Sequence, residues 1–111
     1  MILHNNKWQW GDSYTIIEED GMGMIEFDVT KDEPEVAYVK GLSVFRTHRL
    51  HGLGSLLLDE ALQEAKKRGC KYAWLHASKE DFVFKWYLRR GFKYYGDKVN
   101  ENGFVPMFME L

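Results

Sequence analysis

Apolar and polar positions along this chain change period several times, and each change marks an element. Tyr14 to Glu19 reads as a strand and Met24 to Thr30 as its partner, with Asp20-Gly21 as the turn of a hairpin. Lys31-Asp32-Glu33-Pro34 is a polar loop, and Glu35 to Val44 is a third strand. Strict alternation places Tyr38, Lys40, Leu42 and Val44 on one of its faces and Ala37, Val39, Gly41 and Ser43 on the other. From about Gly52 to Arg68 the period becomes helical. Leu53, Leu56, Leu57, Ala61, Leu62 and Ala65 form one apolar stripe. Lys66-Lys67-Arg68 sets cations at the negative end of the helix dipole, and Gly69 is a natural stop.

Tyr72 to Ala77 reads as a fourth strand. A second helix spans about Asp81 to Arg90 and ends at Gly91, with Ser78 placed to cap it and Asp81 three residues on. Lys93 to Gly96 and Val105 to Leu111 are the last strands, joined by a loop from Asp97 to Gly103. The order βββαβαββ predicts an α+β fold: a mixed, mostly antiparallel twisted sheet of about six strands packed by two helices.

Composition narrows the function classes. The 111 residues make a single domain, 1–111, and 45% apolar with 15% aromatic content argues for a folded globule. A formal net charge of −2 gives no support for a nucleic-acid partner. The lone Cys70 excludes an internal disulfide and a cysteine-cluster zinc site, and reads as a small core residue. His4, His48, His51 and His76 follow no metal-binding spacing, so no metal is expected. Met1-Ile2-Leu3-His4-Asn5-Asn6 lacks an apolar signal region, and no stretch approaches the ~20 apolar residues of a membrane span. A cytoplasmic protein with no membrane partner is expected.

The stretch with the most chemistry is Arg49-Leu50-His51-Gly52-Leu53-Gly54, between the third strand and the first helix. The first amides of a helix have no intrahelical partners and carry partial positive charge, so such an end binds phosphate-like anions. Glycine lets the backbone approach the anion with no Cβ in the way. The pattern is not a dinucleotide fingerprint, because Leu57 stands where the third glycine belongs. It is not a P-loop, because no lysine follows either glycine. Two readings of Gly52 and Gly54 stand: a seat for a phosphate-bearing ligand, or a tight turn with close helix–sheet packing.

The remaining pattern, R-x-x-G-x-G, resembles the pyrophosphate loop of the GNAT superfamily of N-acetyltransferases. Leu42-Ser43-Val44 resembles that family's strand ending. Trp86-Tyr87-Leu88-Arg89-Arg90-Gly91-Phe92 resembles its "F-Y-x-x-x-G-F" segment. Leu75-His76-Ala77 resembles the "L-H-A" of a bacterial subgroup, and Asn100-Glu101-Asn102-Gly103-Phe104 its late "E-x-G" turn. The resemblance covers roughly residues 14–111. One departure is large: relatives carry a strand and two helices before the first hairpin, and only about a dozen residues precede Tyr14. That leaves the acceptor site open, completed by a second subunit, or lost. Trp8 and Trp10 in this segment either pack on the sheet or line an acceptor pocket.

The resemblance implies acetyl-coenzyme A as cofactor. It implies that backbone groups of Leu42, Ser43 and Val44 pair with the pantetheine arm as an added strand. The Val44 N–H then donates to the thioester carbonyl. Amides of Leu50, His51, Gly52, Leu53, Gly54 and Ser55 cradle the pyrophosphate, with Arg49 and His51 adding charge. Glu80 stands where many relatives hold an asparagine near the pantetheine. Tyr87 matches the tyrosine that protonates the departing thiolate, and its other reading is aromatic packing. His76 is the candidate general base, against a structural histidine. The function implied is transfer of acetyl to a primary amine of a small molecule or peptide. The alternative is a non-catalytic acyl-CoA-binding sensor or interaction module. A homodimer is also implied, with Val105–Leu111 able to supply an edge.

Overall fold

The computed structural model describes residues 1–45, 52–94 and 102–111. It holds strands β1 (Ile2–Lys7), β2 (Gly11–Ile17), β3 (Gly23–Thr30) and β4 (Val36–Val44), then helix α1 (Leu53–Lys67) and strand β5 (Tyr72–Ser78). Helix α2 (Phe82–Arg89) and strands β6 (Lys93–Tyr94) and β7 (Phe104–Glu110) complete it. The strands form one sheet of seven in the order β1-β2-β3-β4-β5-β7-β6. Neighbours are antiparallel except β4 and β5, which run parallel and are joined through α1. The α+β mixed sheet with two helices is the expected architecture, with one strand more.

The extra strand is β1. Too few residues precede Tyr14 for a strand and two helices, yet a strand is present and no helix stands between β1 and β2. Trp8 and Gly11 close a turn around Gln9-Trp10, with Trp8 N–H donating to the Gly11 carbonyl at 2.8 Å. All six residues of β1 are exposed, so no apolar alternation announces it. Main-chain pairing with β2, from Ile2 opposite Ile17 to Lys7 opposite Asp12, holds it.

Both helices pack on one face of the sheet. Tyr14, Ile16, Ile25, Phe27, Ala37, Val39, Ala73, Leu75, Ala77, Val105 and Met107 point to that face and meet Leu57, Leu58, Ala61, Ala65, Phe84 and Tyr87 in one core. The α1 stripe is rotated slightly from the expected one: Leu58 is buried, whereas Leu56 is half exposed. Cys70 is buried as expected, and burial pushes its thiol pKa up. The opposite face carries Thr15, Glu26, Asp28, Tyr38, Trp74, His76 and Phe108, none of them buried. Trp8 folds onto this face, donating from Nε1 to Ser13 Oγ at 3.1 Å, and stacks near-parallel with Trp10.

Two local expectations are corrected. Ser78 ends β5 and does not cap α2; the cap is Asp81, whose Oδ1 accepts the Val83 N–H at 3.2 Å. The faces of β4 do not alternate strictly. Glu26 pairs with Gly41 and Phe27 with Val39, so Lys40 is an extra residue. Ala37 and Val39 therefore share the helix face with Leu42 and Val44, which pack against the core from beyond the bulge. A bulge inserts one residue and exchanges the two faces downstream of it. The end of the fifth predicted strand, residues 95 and 96, lies outside the described residues. So do residues 97–101 of the loop.

Candidate functional site

The bulge sits where β4 leaves β5. The two strands pair only from Val36 opposite Tyr72 to Tyr38 opposite Trp74. Beyond that point β4 continues on β3 to Val44, while β5 continues on β7 to Ser78. Lys40, the extra residue, is held by two carboxylates, Glu26 at 3.2 Å and Asp28 at 3.1 Å. Burial lowers the pKa of its ammonium, but the hydrogen bonds it donates to both carboxylates, with their negative charge, outweigh this and leave it raised.

Past the bulge, the main-chain groups of β4 take fixed directions. Phe45 N–H donates to the Met22 carbonyl at 2.9 Å, which makes that pair a hydrogen-bonded one. Antiparallel ladders alternate, so Ser43 and Gly41 also turn their main-chain groups toward β3, and Leu42 and Val44 turn theirs toward the β5 side. Of the three residues expected to pair with an extended ligand, Leu42 and Val44 direct their main-chain groups to the β5 side. Ser43 instead directs its backbone to Met24.

A cleft of about 330 Å³ opens there, lined by Leu42, Ser43, Val44, Gly54, Asp81, Phe82, Val83 and Trp86. Two helix N-termini face it, and they differ. The first turn of α2 is capped by the Asp81 carboxylate. The α1 N-terminus has no side-chain cap and no acidic residue in its first turn. A capping side chain contributes about 1 kcal/mol, which α1 forgoes. Its first amides are therefore left as donors for an anion, while those of α2 are already partnered and shielded by negative charge.

The two glycines at this tip have different causes. Gly52 is the N-cap with φ 77°, a left-handed conformation that disfavours any side chain. This supports the turn reading for that position. At Gly54 a Cβ would meet Trp86 and Val44 at 3.9 Å, an ordinary contact. Internal packing therefore does not demand glycine at 54, whereas an approaching ligand would.

The remaining expected residues are dispersed. Leu53 and Gly52 border a neighbouring hollow with Met22 and Leu56, and Ser55 is half-buried on the first turn of α1. Glu80 is exposed and absent from the cleft lining, where the adjacent Asp81 stands. Tyr87 is buried in the core behind Trp86, its ring edge-on to Trp86 and Phe92 at 5.0 and 5.4 Å. Burial pushes its phenol pKa up to about 12. His76 is exposed on the opposite face of the sheet. Arg49, Leu50 and His51 lie outside the described residues. Sequence reasoning did not single out Phe82, Val83 and Trp86. The available signal was the spacing of Phe82 and Trp86, four apart on the helix that carries Tyr87. Arg90 lies over the Trp86 ring at 5.6 Å, adding positive charge to this wall.

A strand pair that splays around a bulge, with an uncapped helix tip in front of the gap, defines an α+β domain built to hold an extended anionic ligand. The profile of the Acetyltransferase (GNAT) family matches residues 2–92, and the chain belongs to that family. Acetyl-coenzyme A is the cofactor of the family. Among solved structures, the fold is similar to a nourseothricin acetyltransferase, with TM-score 0.71 and 23% identity over 92% of this chain and 66% of that one. It is also similar to the PaiA N-acetyltransferase from Thermoplasma acidophilum in complex with coenzyme A (TM-score 0.71, 22% identity, 91% of this chain and 58% of that one). A third similar structure is an acetyltransferase from Bacillus subtilis in complex with coenzyme A (TM-score 0.70, 21% identity, 93% and 78%). The chain spans 66% and 58% of the length of the first two. No curated protein matches. Among the described residues no helix is long and apolar enough to cross a membrane.

Proposed function

We propose that this chain is an acetyl-CoA-dependent N-acetyltransferase that moves an acetyl group directly to a primary amine. One observation carries the reading: the uncapped α1 N-terminus, with side-chain-free Gly54 in its first turn, opens into the cleft beside the splayed end of β4. The residues fit the group. Amides of Leu53, Gly54 and Ser55 would hold the pyrophosphate, with residues 49–52 completing the seat as the family resemblance implies. Main-chain groups of Leu42 and Val44, directed to the β5 side, would hold the pantetheine arm as an added strand. Acetyl-CoA, when bound, supplies an acetyl group activated as a thioester.

Each protein group then has a definable task. The Val44 N–H donates to the carbonyl oxygen on which negative charge develops. Tyr87 keeps its proton through the neutral range, because burial disfavours the phenolate, and so serves as donor to the leaving sulfur. His76 is the candidate acceptor for the amine proton, reached from the other side of the sheet. The protein is read as cytoplasmic and acts as a monomer or homodimer on a soluble amine.

Calorimetry with coenzyme A tests the reading. The unmodified chain binds it, and Gly54→Glu weakens binding by about a hundredfold or more, through bulk and repulsion of the phosphates. Circular dichroism of the variant stays native, since a Cβ at 54 has room. Equal affinity in the two proteins sinks the pyrophosphate seat.

A second reading has its own support. Tyr87 is buried behind Trp86 and does not line the cleft. This favours a non-catalytic acyl-CoA-binding module. Release of free thiol from acetyl-CoA in the presence of an amine decides for the enzyme; binding without release decides for the module.

A further inference from the structure

The sheet ends on β1 at one side. The stretch Val105–Leu111, expected to supply an edge, falls on β7 and lies inside the sheet between β5 and β6. Edge strands are ordinarily guarded by a proline, a bulge or a charge in mid-strand. β1 has none of these. It contains no proline, its register with β2 runs without a shift from Ile2 to Lys7, and its one lysine, Lys7, stands at its end.

The turn after β1 fixes where its main-chain groups point. Trp8 N–H donates to the Gly11 carbonyl at 2.8 Å and Gly11 N–H to the Trp8 carbonyl at 3.4 Å, so these two residues are a hydrogen-bonded pair. Alternation along an antiparallel ladder then makes Asn6 with Ser13, His4 with Thr15 and Ile2 with Ile17 the pairs bonded inward. Leu3, Asn5 and Lys7 therefore aim their N–H and C=O groups outward, away from β2. Such a row is a template for one more strand.

We propose that this edge takes β1 of a second copy of the chain, antiparallel to the first about a two-fold axis at Asn5. The inference stands apart from the transferase reading. An axis there sets Asn5 opposite its own counterpart and Leu3 opposite Lys7 of the second copy, and each of these pairs exchanges both its hydrogen bonds. Moving the axis to His4 or Asn6 leaves Lys7 or Leu3 without a strand partner. The side chains match in the same register. Leu3 covers the stem of Lys7 of the second copy, and Asp12 stands opposite each Lys7 on β2. On the other face Ile2 reaches Trp8 of the second copy, and both are exposed in the single chain, at 45% and 52%. No like charges oppose each other. The dimer is isologous and closed. The cleft at β4 lies three strands from β1, roughly 14 Å away, and stays open in both copies.

Sedimentation velocity on the full chain tests this. A dimer is expected at about 100 μM. Asn5→Pro should weaken association by about tenfold or more, because it removes an outward N–H on both sides of the axis. Its circular dichroism stays native, since the Asn5 N–H takes no part in the β1–β2 ladder. Asn5→Cys reads the register. Mild oxidation should link the two copies, because the Cα atoms of a hydrogen-bonded pair lie about 5.5 Å apart, within disulfide range. Lys7→Cys should not link, two such sites lying roughly 14 Å apart. Cys70 is buried and does not compete. A monomer at this concentration, a dimer that Asn5→Pro leaves intact, or equal linking by Lys7→Cys overturns the assignment. Where Asn5→Pro loses its native spectrum, the two cysteine variants decide.

Discussion

Tyr87 is a packing residue for which a chemical task is proposed. Its ring sits edge-on to Trp86 and Phe92 in the core. Removing only the hydroxyl leaves that packing in place, so Tyr87→Phe should keep coenzyme A affinity while lowering turnover by about a hundredfold, the range of a lost general acid. Near-normal turnover in steady-state assays would end its assignment as proton donor. The place of Tyr87 in the family segment was legible from its distance to Gly91-Phe92, but its position in the core, outside the cleft lining, was not. Phe82 and Trp86 were not legible as cleft residues. They lie four apart on an amphipathic helix, and the pattern alone does not tell a core stripe from a cleft wall. Asp81 lines the cleft and Glu80 does not, and nothing in the pair Glu80-Asp81 tells in advance which of the two does.

At the scale of elements, the readable parts were those with a burial period. α1, β3 and β5 each present a strong apolar face, and each was placed within a residue or two. β1 has none, since main-chain pairing at a sheet edge leaves no apolar trace. The bulge at Lys40 was invisible for a different reason. Alternation assumes one residue opposite one, and Lys40 breaks that count without changing the composition of the strand. The N-terminus of α2 is also a correction at this scale. Asp81→Ala should cost about 1 kcal/mol in urea unfolding, and Asp81→Asn should recover most of it, because the amide oxygen can accept the same Val83 N–H. Equal stabilities of the three proteins would remove the cap.

Across the whole molecule, Tyr14 and Tyr87 are buried and Tyr38 is half-buried, and these three phenols weaken the fold at alkaline pH. Tyr87 is raised to about 12 by burial, and Tyr14 and Tyr38 are raised in the same direction, burial being the first cause in each. In the unfolded chain these groups ionise near their ordinary pKa of about 10. The folded state then holds more protons than the unfolded one above that pH. Stability from Tyr87 is fully present below about pH 10 and is lost as pH rises toward about 12, by on the order of 2–3 kcal/mol. Urea unfolding at about pH 9 and about pH 11.5 should show the fall, and Tyr87→Phe should make it shallower. An identical slope in the variant would mean that other groups govern alkaline unfolding.

The direct turn from Trp8 to Gly11 has a consequence beyond the element it ends. With no helices inserted between the first two strands, the sheet surface across from α1 and α2 carries no helix among the described residues, and only Trp8 is seen to fold back onto part of it. Exchanging a side chain there alters what the surface welcomes without repacking an interior. Selectivity in such a scaffold can drift by single steps through evolution, while the proposed seat for the donor, built from backbone and a helix tip, stays constant.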